Sequence, residues 1–226
     1  MPVTPADFEI VANVSEGRAR AVIDEAAAAI RSVAGIVLRD IHSDADHDRS
    51  VFTYVGTRGA DLTAATLALA RVVVSTVDLT DPEKSGEHRG VHPRIGALDV
   101  VPVVPISPSA TLSEAATIAR TIGEELADRL DLPVHLYGAA ARNEERRSLP
   151  HLRRGGFEQL AANQSTDAGA PDFGPRLPHP TAGAVAVGAR PLMAAWNIAL
   201  VGDETARLLQ VAQEIAREIR GASPTG

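Results

Sequence analysis

The stretch IVLRDIHSDADHDRSVFTYV, Ile36–Val55, decides the reading of the fold. Its two ends, 36–41 and 50–55, are rich in β-branched, aromatic and aliphatic residues and read as strands, and the polar run HSDADHDR between them reads as a loop. Two strands joined directly, with helical periodicity on either side, are the centre of a split β-α-β unit. Upstream, FEIVANV (8–14) reads as a strand. Ser15 is the candidate cap of a helix that starts near Gly17 or Arg18, carries Val22, Ile23, Ala26, Ile30 and Val33 on one face, and stops at Gly35. Downstream, residues 61–77 read as a second helix, with a strand as the competing reading because of the β-branched run Val72–Val74. ALDVVPVVPI (97–106) reads as a strand whose prolines limit its length or place it at an edge. The order is β-α-β-β-α-β. It predicts an α/β sandwich: a ferredoxin-like mixed β-sheet with helices on one face.

The chain continues past that unit. Thr111 or Ser113 is expected to cap a third helix reaching Leu130, followed by a short strand at 133–137 and a short basic helix, Arg146–Arg154, that ends at Gly155-Gly156. Residues 161–180 read as a long loop rich in Gly, Pro, Asp and Asn. Strands are expected at 184–188 and 193–201, and Asp203 is expected to cap a last helix with Leu208, Val211, Ile215 and Ile219 on one face. The expected division is therefore a first domain over 1–182 and a partial second α/β lobe over 183–226.

The 226 residues carry 22 Lys+Arg against 29 Asp+Glu, a net charge of −7, and 45% are hydrophobic, which suits a packed globular chain. The absence of cysteine excludes disulfides, thiolate zinc sites and thiol nucleophiles together. A net acidic chain with 3% aromatics argues against nucleic acid as a partner. The N-terminal residues lack a basic region followed by an apolar run, and the apolar runs are short and interrupted, so neither a signal peptide nor a membrane partner is expected and the expected compartment is the cytoplasm. Lys84 is the only lysine; the other basic side chains are arginines, whose planar fork suits carboxylates.

Two loops concentrate histidine. Asp44, Asp46 and Asp48 copy the first ligand positions of a calcium loop, but Arg49 and Val55 stand where the glycine and the closing glutamate belong. The simpler reading is a turn whose aspartates bond their own backbone. In GEHRGVHPRIGALD (86–99), His88 and His92 are four apart, yet Gly90 and Pro93 oppose the helix that a zinc motif needs, so no metal site is expected. A histidine on a loop shaped by Gly and Pro is suited to general acid or base work near neutrality. PDFGPRLPHPTAG (171–183) is a stiff segment that reads either as a ligand-lining channel or as a linker. Glycine-rich phosphate and dinucleotide fingerprints are missing.

Taken together these segments resemble the formiminotransferase family. Asn13-Val-Ser15-Glu16-Gly17 matches its N-x-S-E-G opening, and Asp48-Arg49-Ser50-Val51-Phe52-Thr53 its N-R-[ST]-V-[FY]-T, with Asp in the Asn position. Gly90-Val91-His92-Pro93-Arg94-Ile95-Gly96-Ala97-Leu98-Asp99-Val100 matches G-E-H-P-R-[ML]-G-A-x-D-V. Further matches are P-V-x-L-Y at 133–137, P-D-[FY]-G at 171–174, H-P-T-A-G-x-x-A-V-G-A-R at 179–190 and A-[FW]-N-[IV]-x-L at 195–200. The matches keep their order across nearly the whole chain.

The resemblance implies a transferase that moves a formimino group from N-formimino-L-glutamate to N5 of tetrahydrofolate, the co-substrate, in histidine degradation. The general acid–base group falls on His92, and the folate-contacting stretch on Gly174, Pro175, Arg176, Leu177, Pro178, His179, Pro180, Thr181, Ala182 and Gly183. Arg49, Arg94 and Arg190 sit in family motifs and suit the carboxylates of both substrates. The partners so implied are small molecules, a folate and an acidic amino-acid derivative. Three departures stand out. Val91 replaces the Glu before the histidine, and His42 stands where some members carry an acid. The chain also stops after the first strand and helix of the second lobe, so a homo-oligomer closing the open sheet edge is expected. The alternatives are a binding relative that holds a folate or acidic ligand without turnover, a transferase for another N-formimino or N-formyl donor, and a metal-dependent hydrolase using His42, His47, His88 and His92.

Overall fold

The computed structural model describes residues 7–81, 93–193, 200–202 and 204–221. Its contacts divide the chain into two compact units, one up to Leu192 and one from Met193 on.

The first unit is built on a six-stranded mixed sheet. Strand β1 (Phe8–Val14) is followed by helix α1 (Arg20–Arg31), β2 (Ile36–Asp44), β3 (Arg49–Gly56), α2 (Gly59–Thr76) and β4 (Leu98–Pro105). Then come α3 (Leu112–Leu130), β5 (Val134–Gly138), a 3-10 turn at Glu145–Arg147, the one-turn helix α4 (Leu149–Leu152), α5 (Gly156–Gln164) and β6 (Val185–Ala189). The strand order is β2-β3-β1-β4-β6-β5. The first four strands pair antiparallel in the ferredoxin-like arrangement, and β6 then adds parallel to β4 with β5 parallel outside it. The strand at 184–188 therefore goes with this sheet rather than with the second lobe. Among the described residues β2 and β5 form the two edges of the sheet.

Alternation along the strands separates the two faces. Ile10, Phe52, Tyr54, Val101, Val103, Leu136 and Val187 form the main core with Ile23, Ala27 and Ile30 of α1, Leu62, Leu69 and Val73 of α2, and Ile122 and Leu126 of α3. The Tyr54 hydroxyl shares a 2.7 Å hydrogen bond with Thr66, which ties α2 to β3. By length and composition α2 is apolar enough to cross a membrane, the one such helix among the described residues. Its Leu62, Ala65, Leu69, Ala70 and Val73 are fully buried in this core. On the opposite face, Val11, Asn13, Val51 and Thr53 are half-buried. Farther across, Val100, Tyr137 and Ala186 pack with Ile95, Leu160 and Ala184 in a second, smaller cluster under α5.

Several local expectations are corrected. Strand β2 runs to Asp44 and β3 begins at Arg49, so the loop shrinks to 45–48. An edge strand with one solvated face carries His42, Ser43 and Asp44 without cost, and Ser43 and Ser50 bond across the ladder at 2.9 Å. The aspartates do bond backbone: Asp44 Oδ1 accepts from the N–H groups of Asp46 and His47, and Asp48 Oδ1 from that of Gly17. Helix α1 begins at Arg20 with Ala19 at its N-cap and no side-chain cap, and Glu16 Oε1 accepts from the N–H groups of Arg18 and Ala19 in the turn that leads into it. Ser15 instead donates to Gly96 O at 2.7 Å. Residues 59–76 are helical throughout, because the Val72–Val74 run buries Val73 against the core. Strand β4 is central, not an edge, with Pro102 opposite Gly188 and Pro105 as its last residue. The basic helix is only the 3-10 turn and α4, while α5 occupies the start of the expected long loop. Gly155 and Gly156, with φ of 84° and 63°, lead into α5 rather than merely ending what precedes it. Helix α3 holds the expected cap: Thr111 accepts from Glu114 N and Glu114 Oε2 accepts from Thr111 N.

In the second unit, α6 (Thr205–Gly221) half-buries Leu208, Val211 and Ile215 and leaves Leu209 and Ile219 exposed. The expected strand at 193–201 and the Asp203 cap lie mostly outside the described residues.

Candidate active site

The segment that carries the acid–base candidate enters the described residues at Pro93, just after His92; His92 and His88 themselves lie outside them. What anchors this segment is Asp99, the second residue of β4. Its side chain is completely buried. Oδ1 accepts from Ile95 N at 2.9 Å, closing a tight turn between Pro93 and β4. Oδ2 accepts from Arg49 at 2.7 Å and also from Arg153, which follows α4. Arg49 reaches on to Asn13 Oδ1 at 2.8 Å and to the carbonyl of Pro93 at 3.3 Å. Strand starts β3 and β4, the end of β1 and the turn after α4 thus converge on one carboxylate. Burial pulls the Arg49 guanidinium below its ordinary value; Asp99 opposes this, and the nearby Arg153 and Arg94 add to it. Two guanidinium groups therefore share one carboxylate. Such an excess of positive charge attracts an anion.

Tyr137 on β5 borders the same cluster. Burial pushes its hydroxyl up, while Arg190 and Arg153 pull the other way. Arg94 is itself buried, and Arg190 lies at the end of β6, its guanidinium donating to Pro191 O. The three arginines singled out from the motifs therefore lie around one region, joined by Arg153, Asp99, Asn13 and Tyr137.

The segment 174–183 lies beside the turn that follows His92. Backbone bonds run from Ala97 N to Ala182 O and from Ala184 N to Ile95 O, each 2.9–3.0 Å. Gly96 and Gly183 face each other in this crossing. A Cβ on Gly96 would fall on the carbonyl oxygen of Ala184, and one on Gly183 on that of Ile95, so only glycine permits the approach. Residues 179–183 close a small loop, with reciprocal bonds between His179 and Gly183 and the His179 ring accepting from Ala182 N at 3.1 Å. Gly174, Pro175, Arg176, Leu177 and Pro180 are exposed, Pro178, His179 and Thr181 half-buried, and Ala182 and Gly183 buried. Arg176 is bound to Asp167 at 2.6 Å and to the carbonyls of Gln164 and Ser165. Asp172, just before this segment, accepts from Leu136 N and pairs with Arg142 and Arg146.

Residues 8–190 match the family described as "Formiminotransferase domain, N-terminal subdomain". The chain belongs to the formiminotransferase family. It is 39% identical over 214 residues to the glutamate formimidoyltransferase of Streptococcus pyogenes serotype M1, covering 95% of this chain and 68% of that protein. It is 38% identical over 218 residues to the formimidoyltransferase-cyclodeaminase of Sus scrofa, covering 96% of this chain but 39% of that protein. The Thermoplasma acidophilum glutamate formimidoyltransferase is 34% identical over 214 residues, covering 94% of this chain and 66% of that protein. The chain therefore spans about two thirds of the shorter relatives and well under half of the fused one, and its kinship is with one-carbon transferases.

His42 is exposed on β2 opposite Val51, and His47 is paired with Asp44 at 2.8 Å. Among the described residues no three side chains of His, Asp or Glu gather as a metal site. Sequence reading missed Asp99, Arg153 and Tyr137 as site residues. Asp99 had a signal, a lone carboxylate in the otherwise uncharged run ALDVVPVV. It also missed a second polar pair: on β5 the buried His135 meets the buried Gln164 of α5 at 2.9 Å.

Proposed function

We propose that this chain carries the formimino-transfer half-site of its family: it moves a formimino group from N-formimino-L-glutamate to N5 of tetrahydrofolate. The observation that carries the reading is the buried Arg49–Asp99–Arg153 cluster, which fixes the turn that follows His92 and offers positive charge to an acidic donor. The family match over 8–190 supplies the reaction class.

In this reading N5 of the folate attacks the formimino carbon and forms the new N–C bond. A tetrahedral intermediate follows, and its collapse breaks the bond to the glutamate nitrogen. One proton leaves N5 and one reaches the departing nitrogen, so a single neutral histidine serves both steps and is regenerated. His92 is placed in that role, with a contribution of about 10²–10⁴-fold. Arg49 and Arg153 orient a donor carboxylate, and 174–183 contributes the folate side. Holding both reactants beside one another supplies much of the rest.

The test is transfer itself. Purified protein is mixed with tetrahydrofolate and formimino-glutamate, acidified, and read by methenyl-folate absorbance. Signal from the parent and none from His92→Ala, with folate binding retained, is the expected result. Equal signal from both removes His92 from the chemistry. Folate binding without turnover by the parent points to a different N-formimino or N-formyl donor or to a binding relative, and Val91→Glu is then the first variant to assay.

A further inference from the structure

Behind β5, on the sheet face that α5 covers, lies a cavity of about 360 Å³ walled by His135, Arg146, His151, Arg154, Leu160 and Gln164. That volume is the size of a small-ligand pocket. None of residues 174–183 lines it, nor does Arg49, Asp99 or Arg153.

Its inner wall is chemically unusual. Residues 135 and 164 are 5% and 0% exposed, positions where apolar side chains are the rule. His135 and Gln164 bond one another through their Nε2 atoms, and the remaining His135 Nδ1 and Gln164 Oε1 are buried with no protein partner. With Gln164 Nε2 as donor, His135 keeps its proton on Nδ1. The pair then shows one unused donor and one unused acceptor. Turning the amide over exchanges the two roles but keeps the count, so the inference does not depend on that assignment. Buried polar atoms are normally satisfied, and a pair kept polar here points to something that satisfies it.

The rim carries both signs, with Glu145 beside Arg146, His151 and Arg154. Arg146 is spent on Asp172 and on the carbonyls of Ala168 and Ala170. Arg154 is exposed and has no carboxylate in ion-pair range among the described residues, and His151 is exposed beside it on α4.

We propose that this cavity binds a small carboxylic acid bearing an amide or lactam group, with the carboxylate at Arg154 and the amide N–H and C=O completing Gln164 and His135. The site is separate from the cluster at Asp99, so it is a second, non-catalytic site that senses or stores such an acid.

L-Pyroglutamate, a lactam acid, is the probe, and cyclopentanecarboxylate, of the same ring size without the amide, is the control. Both are titrated into the ¹⁵N-labelled full chain while the His135 ring resonances are followed. The expected result is saturable binding of L-pyroglutamate with shifts at His135, none with the control, and about tenfold weakening in Gln164→Leu, from the ligand hydrogen bond lost at a buried site. Arg154→Ala, an exposed substitution, weakens binding too and stands in if Gln164→Leu fails to fold. His92→Ala leaves binding unchanged, which separates this proposal from the transferase reading. No saturation with L-pyroglutamate, equal binding of the control, or variants that bind like the parent would each overturn it. So would a crystal structure with only a water bridging Nδ1 and Oε1 after soaking.

Discussion

Replacing Asp99 with Asn keeps the shape of the side chain and an acceptor for Ile95 N but deletes the charge between two guanidinium groups. The environment sets the magnitude. The Asp99 side chain is 0% exposed, and those of Arg49 and Arg153 are 11% and 9% exposed, so water repairs little of the loss. Removing one member of a buried ion pair costs about 3–5 kcal/mol. Arg49 keeps Asn13 and the Pro93 carbonyl, which places the expectation near the lower end, about 3 kcal/mol. Against a typical total of about 5–15 kcal/mol, that is a large fraction. Urea unfolding of the parent, Asp99→Asn and Asp99→Asn/Arg153→Met, with slopes compared, measures it. The double variant is expected to recover at least half the loss, because Met fills the space without an uncompensated charge. A single variant within about 1 kcal/mol of the parent, or a double variant no better than the single, refutes the account.

Other outcomes follow from the same structure. Burial pushes His135 down to about 4, with Arg146 adding to this and Asp172 opposing. The unfolded chain then binds more protons between that value and the ordinary ~6.5, so stability falls as pH drops through this window, by about 3 kcal/mol in all. His135→Phe should flatten that limb in unfolding curves taken across it, and an unchanged limb would show that another group titrates there. Thr111→Ala removes the cap of α3 and should cost about 1 kcal/mol by thermal or urea unfolding, with no loss of transfer. Gly96→Ala forces the crossing with Ala184 apart, so it should lower stability by about 1–3 kcal/mol and abolish transfer; a variant as active as the parent contradicts the close approach. Signal lost in His92→Ala, as set out above, tests the chemistry itself.

Much of the fold was legible because the first four strands and two helices carry clean periodicities. The half-buried strand Phe8–Val14 alternates, and α1 repeats its apolar residues every three or four positions. The failures have physical causes. Strand β2 continues through His42, Ser43 and Asp44 because an edge strand may be polar where it meets water, which hydropathy reads as loop. Helix α5 was hidden by its poor apolar face, only Leu160 and Gln164 being buried. Ser15 suits a cap by type, but α1 starts only after Ala19, and the Ser15 hydroxyl is taken by Gly96 O across the fold. At the site, the arginines were visible through motifs near them in sequence. Arg153 was not, since its partner Asp99 lies 54 positions away. A pairing across that distance is created by the fold and has no local signature.

The glycine crossing has a mechanical meaning. Gly96 and Gly183 weld the turn that follows His92 to the segment ending at Gly183, backbone against backbone, with no side chain between them to flex. Backbone bonds from Ala97 N to Ala182 O and from Ala184 N to Ile95 O tie the two stretches together. Whatever settles on 174–183 is thereby held at a fixed offset from Pro93, and a loop that drifts carries its neighbour with it. In a reaction that joins two separate molecules, such a weld turns alignment from a matter of chance encounter into a property of the chain.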